Sequence, residues 1–206
     1  MMILIVAAMV SEVESIIPSL TQTEKDPFMT YEGKISTHQV CLIVTGIGKV
    51  NAAAGLTYML GKQTFNQIIN VGLAGGYLLN KGESVLVARS TYHDFDLTFF
   101  DYEKGQVPHY PTWFEPNYLD LNYKEFKQTP LYTGDYFSTS VIAQTPYVAD
   151  MEGNAFFQVA HRFNIPLASL KVVSDVIGST EQLETYQASE MSFQDKLRDA
   201  LLKLLN

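Results

Sequence analysis

The 206-residue chain is poor in cysteine, arginine and histidine, and its acids outnumber its bases. Each shortage removes a class of function. The single Cys41 cannot close an internal disulfide, so nothing points to an oxidising compartment. It lies in the apolar run Val40–Val44 and reads as a core residue. The three arginines, Arg89, Arg162 and Arg198, are scattered, and the net charge is −8. Neither a nucleic acid nor an anionic membrane is expected as partner, because phosphate neutralisation needs clustered cations. The four histidines are dispersed as well. His93 beside Asp94 and Asp96 suggests a metal, but no second histidine joins them and no metal site is expected. The apolar start is too short to span a bilayer and lacks a positive leading region. It reads as the first buried strand of a cytoplasmic protein.

What is present is apolar and aromatic. Hydrophobic residues make up 47% and aromatics 12% of the chain, enough for a sizeable core in one domain over residues 1–206. Runs of β-branched and apolar residues predict strands at Met2–Ala8, His38–Thr45, Phe65–Val71, Val85–Ala88 and Leu167–Val173. Ser11 and Glu14 have capping-box spacing and predict a helix that Pro18 ends or kinks. Gly46–Ala54 reads as a glycine turn opening a small-residue helix that ends near Gly61. Residues 21–37 read as polar turns, and Gly72–Gly76 as a second glycine turn. Neither turn is a P-loop or a full dinucleotide fingerprint, and no cofactor is expected. A helix is predicted after Asp150. Its apolar face holds Met151, Ala155, Phe156, Val159, Ala160 and Phe163, and Asn154, Gln158 and Arg162 lie on another. Ser189–Leu205 reads as an amphipathic terminal helix with Met191, Leu197, Leu201, Leu204 and Leu205 apolar. Alternating strands and helices predict a three-layer α/β/α domain with a central mixed sheet.

The chemistry is expected at the strand ends. Open α/β sheets bind ligands outside the carboxyl ends of their strands, so Glu12, Gly46, Gly72, Phe137 and Asp175 should converge. Asp150, Glu152 and Asp175 sit beside the most apolar segment, where carboxylates need a partner or a task. Glu12 reads either as a first-turn acid answering a helix dipole or as a carboxylate facing the crevice. Phe137 is either a stacking platform or core. Tyr92–Pro108 mixes aromatics and acids without period, as binding and subunit-contact loops do.

Seven pieces then add up in order: Ala8-Met9 with Glu12-Val13, Thr45–Val50, Asn70–Gly76, Tyr92–Pro108, Gly134–Phe137, Met151-Glu152, and Ser174-Asp175-Val176. The chain resembles the 5′-methylthioadenosine/S-adenosylhomocysteine nucleosidases of the nucleoside phosphorylase superfamily. The resemblance implies hydrolysis of the N-glycosidic bond of an adenine nucleoside. It implies Asp175 as the acid at N7, oriented by Ser174, and Glu12 as the group that takes the proton of water. Glu152 is implied at the ribose diol, Met151 beneath the sugar, and Ile47 on the alkylthio side. Phe137 would stack on adenine while the backbone at Ser138 reads its edge. Phe193 is the implied lid aromatic. Phe100 and Pro108 would reach a neighbour's 5′ pocket, implying a homodimer. The chain departs from the family at Asp150, Leu73 and Lys171, where Glu, Ser and Arg are usual. The last two positions lie near the ribose and water. A phosphorylase, a futalosine-type nucleosidase or a low-turnover nucleoside binder of the same fold remain alternatives.

Overall fold

The computed structural model describes residues 2–118, 121–190 and 192–206. Its strands are β1 (Met2–Ala7), β2 (Leu20–Glu24), β3 (Met29–Ile35), β4 (His38–Val44), β5 (Gln67–Tyr77), β6 (Ser84–Tyr92), β7 (Lys127–Thr133), β8 (Tyr147–Asp150) and β9 (Leu167–Val176). Its helices are α1 (Val10–Val13), α2 (Lys49–Lys62), α3 (Gly153–Phe163), α4 (Gln182–Glu190) and α5 (Gln194–Leu205).

The runs of Ile, Leu and Val set the centre. β1 lies between β4 and β5, parallel to both, with Ile3 opposite Val40 and Gln67. Because strand side chains alternate, β1 feeds two cores. Ile3 and Ile5 pack with Val13 of α1 and with Leu197, Leu201 and Leu204 of α5. Leu4 and Val6 pack on the other face with Leu56 of α2 and Phe156 of α3. The expected three layers and mixed sheet are therefore present.

The sheet order is β2-β3-β4-β1-β5-β8-β7-β6-β9, and β9 also pairs with β5. That last pairing closes five strands on themselves, so half of the sheet is a barrel. Parallel β5–β9 pairing sets Gly72 opposite Lys171 and Gly75 opposite Asp175.

Several local expectations are corrected. Residues 21–37 contain the antiparallel pair β2–β3 rather than turns alone. Gly72–Gly76 is not a turn but the interior of β5. Its glycines admit neighbours: a Cβ on Gly76 would lie 2.6 Å from Val173 Cγ1 and 3.2 Å from Leu79 Cβ. α1 starts at Val10 with Met9 as its N-cap, so Ser11 is inside it and Glu12 supplies the return hydrogen bond to the cap. α3 begins after Glu152, leaving Asp150 on β8 and Met151 before the helix. Its buried face includes Asn154 and Phe157, whereas Phe163 is exposed. The C-terminal segment is two helices, α4 and α5, not one. Met191, assigned to the apolar face from sequence, lies outside the described residues.

Filling the space at Gly76 should show how tightly β5 and β9 are joined. Gly76→Ala should lower stability by ~1–3 kcal/mol through overpacking, read as a lower urea midpoint with an unchanged slope.

Candidate active site

A cavity opens where the carboxyl ends of β1, β5, β8 and β9 meet the turn before α2. Glu12, Ile47, Leu73, Phe137, Ser138, Asp150, Met151, Glu152, Ser174 and Asp175 all line it. Residues that are far apart in sequence are brought together by strand order, as the strand-end rule requires.

Glu12 is buried at the start of α1, directly after β1. Its Oε2 accepts the N–H groups of Ala8 at 3.1 Å and Met9 at 3.0 Å, and its Oε1 accepts that of Leu73 at 2.8 Å. A side chain at position 72 would collide with this carboxylate: a Cβ there would stand 2.7 Å from Glu12 Oε1 and 3.3 Å from Lys171 Nζ. Glycine at 72 therefore makes room for an acid and a cation together. Burial pushes the Glu12 carboxyl above its usual range, while Lys171 and the three amides draw it part of the way back.

Lys171 is enclosed, with its side chain only 3% exposed, and its Nζ stands 2.9 Å from Asp150 Oδ2. Asp150 also accepts the Thr133 hydroxyl at 2.6 Å and the Gly153 N–H at 2.9 Å. It thus anchors the first turn of α3 and neutralises the cation. Burial works against the Lys171 ammonium, but Asp150, Glu12 and Glu152 outweigh it and keep it charged. Glu152 follows as the N-cap residue of α3, and its Oε1 accepts the Gly48 N–H at 2.7 Å. Burial, reinforced by Asp150, raises its carboxyl to about 8. Lys49, next in line, binds Asp94 at 2.7 Å and Asp135 at 3.4 Å, tying the turn before α2 to the loops after β6 and β7.

A second group gathers at the end of β9. Asp175 is buried and its Oδ1 accepts the Ser174 hydroxyl in a short hydrogen bond. Its Oδ2 accepts Gln182 Nε2 at 2.8 Å. Burial raises the Asp175 carboxyl above its ordinary value despite those donors. Phe137 stands beside it, with the Tyr186 ring edge-on at a centroid distance of 5.4 Å. Lys171 and Asp175 are four residues apart on one strand, so the two groups are separated by roughly 13 Å of backbone. One cavity thus offers a buried acid beside an aromatic face, and a carboxylate cluster further along.

Comparison with known proteins follows this geometry closely. The family model described as the phosphorylase superfamily matches residues 2–206. A 5′-methylthioadenosine/S-adenosylhomocysteine nucleosidase of Desulfotalea psychrophila is 32% identical over 90% of this chain and 88% of its own length. One from Bacillus cereus (strain B4264) is 33% identical over 100% of this chain and 96% of its own. The chain belongs to the 5′-methylthioadenosine/S-adenosylhomocysteine nucleosidase family. A solved nucleosidase from Colwellia psychrerythraea 34H, in complex with adenine, superposes with a TM-score of 0.89 at 27% identity, covering 100% of this chain and 94% of that one.

Within this nucleosidase fold, four expected residues do not line the chain's own cavity: Phe100, Pro108, Phe193 and Lys171, the last enclosed against Asp150. Phe100 and Pro108 lie in the loop after β6; Phe99 beside them is 91% exposed and Phe100 65%. Phe193 is corrected as lid aromatic. It is the N-cap residue of α5, packs against the α5 core, and lies under the ammonium groups of Lys81 and Lys196. The aromatic that reaches the cavity from this segment is Tyr186 of α4, accompanied by Gln182. Neither was legible, because α4 has no apolar periodicity to mark it. Of the residues around His93, Asp94 is bound to Lys49, and the ring of His93 meets the Tyr136 hydroxyl at 2.9 Å.

The raised Glu152 carboxyl has a consequence for stability. Between its ordinary value of 4.5 and about 8 the folded chain holds a proton that the unfolded chain has released. Unfolding free energy should therefore fall as pH rises through that window. Glu152→Gln should flatten the slope, measured by urea denaturation at both ends of the window.

Proposed function

We propose that this nucleosidase hydrolyses the N-glycosidic bond of 5′-methylthioadenosine and S-adenosylhomocysteine, releasing adenine and the 5-substituted ribose. The observation that carries the reading is that Asp175 and Glu12, from opposite ends of the chain, line one cavity. In the reaction the C1′–N9 bond breaks and its electron pair stays with the base. A proton passes from Asp175 to N7, and the oxygen of water bonds to C1′ as its proton goes to Glu12. A carboxyl raised by burial suits an acid that must hold its proton until the base departs, and burial that raises Glu12 makes its carboxylate a stronger proton acceptor.

The remaining residues serve the charge that develops on the sugar. Glu152 hydrogen-bonds the ribose hydroxyls, and Glu12, as the base, places negative charge near an oxocarbenium-like centre. Met151 lies beneath the sugar, Ile47 lines the alkylthio side, and Phe137 stacks on adenine. Ser174 orients Asp175, and the Ser138 backbone meets the edge of the base. Leu73 brings no hydroxyl, but its N–H holds Glu12. Lys171, held by Asp150, supplies the positive charge beside Glu12 and Glu152. It replaces a forked guanidinium with a point charge.

Water is favoured over phosphate as nucleophile by charge. The three arginines are absent from the cavity lining, and Lys171 is already committed to Asp150. A phosphate dianion would meet Glu12 and Glu152. The exposed Phe99–Phe100 pair supports a homodimer in which Phe100 and Pro108 complete the neighbour's 5′ pocket. The chain is proposed to act in the cytoplasm; among the described residues no helix is long and apolar enough to cross a membrane.

Adenine should be released from 5′-methylthioadenosine at a rate independent of added phosphate; a sugar phosphate product would overturn the reading. Asp175→Asn and Glu12→Gln should each lower kcat by ~10²–10⁴-fold while retaining nucleoside binding. For the quaternary proposal, light scattering should give a dimer, and Phe100→Ser should raise KM for 5′-methylthioadenosine; a fully active monomer would exclude it.

A further inference from the structure

Gln182 is the first residue of α4 and is 5% exposed, although its neighbour Leu183 is 59% exposed. Its carboxamide points into the base end of the cavity. Nε2 donates to the Ser138 carbonyl oxygen at 2.8 Å and to Asp175 Oδ2 at 2.8 Å, while Oε1 accepts the Gly178 N–H at 3.1 Å. One NH₂ group therefore bridges a backbone carbonyl and a carboxyl. In a 6-aminopurine the exocyclic NH₂ lies beside N7 on the same edge. A base that sets N7 against Asp175 and its edge against Ser138 brings an NH₂ group to these same two acceptors.

Both groups cannot be there together. With Gln182 and Tyr186 in place the cavity holds about 90 Å³, against ~300–1,000 Å³ for sites that enclose small ligands. We propose that Gln182 is a built-in occupant of the leaving-group subsite, standing in for the exocyclic amine until a 6-aminopurine displaces it. This rests on the nucleosidase reading above. Displacement replaces like with like: the incoming amine restores both acceptors, so neither Ser138 nor Asp175 is left unpaired in either state. The free enzyme keeps its acid dry and hydrogen-bonded, and every ligand of this subsite binds more weakly by the fraction of molecules already vacated.

The occupant also acts on the acid only while the site is free. Its N–H bond to Asp175 favours the carboxylate, and it is gone once the base is bound. Two variants that lack the donor, Gln182→Ala and the near-isosteric Gln182→Met, separate loss of the NH₂ from loss of volume. Adenine binding by calorimetry should tighten about tenfold in both, a figure set by two net hydrogen bonds no longer competing. KM for 5′-methylthioadenosine should fall while kcat holds. The basic limb of kcat/KM, which reports the free enzyme, should move to higher pH; the basic limb of kcat should stay. Unchanged or weaker adenine binding, or a kcat limb that moves as well, would overturn the proposal and make Gln182 a structural tie or a ligand of the bound base. Wild-type turnover is the control. If the wild type releases no adenine the nucleosidase reading fails, whereas a working wild type with unimproved variants sinks this inference alone. Thermal melts of both variants identify any that do not fold.

Discussion

One ion pair organises the interior of this molecule. Lys171 Nζ and Asp150 Oδ2 meet at 2.9 Å with both side chains almost wholly enclosed. Around them stand two more carboxylates, Glu12 and Glu152, so a single ammonium serves three acids. A buried pair of this kind contributes little net stability, because desolvation offsets most of the attraction. Its value lies in what it permits. Without Lys171 three carboxyl groups would face one another with no cation among them; with it, negative charge can be kept where a cationic sugar will form. The same pair ties β9 to the end of β8, and Asp150 holds the first turn of α3 that presents Glu152.

Small residues in β5 are the other half of that arrangement. A strand normally weakens where side chains are missing, yet Gly72 gives its space to Glu12 and Lys171. The acid can then take three amide hydrogen bonds at once. Reading this segment as a turn was reasonable from composition, since glycine clusters usually mark turns. It failed because close packing between elements also selects glycine, and sequence alone does not say which demand is being met.

Much of the site was nonetheless legible. Glu152 and Asp175 stand out as acids beside the most apolar segment, and strand-end convergence brings Glu12 and Asp175 to one edge. Strands β1 and β4 were evident because continuous apolar runs leave few other readings. Asp150 was harder: its pairing with Lys171 depends on β8, a four-residue strand too short to show a period. Gln182 and Tyr186 left no trace, because α4 has no apolar periodicity and the role of each depends on which strand end it faces. Phe193, the implied lid aromatic, is carried past the cavity by the extra helix and into the core against α5.

The closure of β9 onto β5 bears on how the enzyme comes into being. Residues 68–76 must find partners at 167–176, about a hundred positions later. Pairings so distant in sequence form slowly, since a long loop must be closed before any contact rewards it. Until they do, Glu12 has its amides but not its cation, and the acid at 175 has no wall to stand in. A chain emerging from the ribosome can therefore assemble β1 to β4 and α2 early, yet it holds no cleft able to act on a nucleoside. Competence arrives in one late step, when the final third of the chain docks.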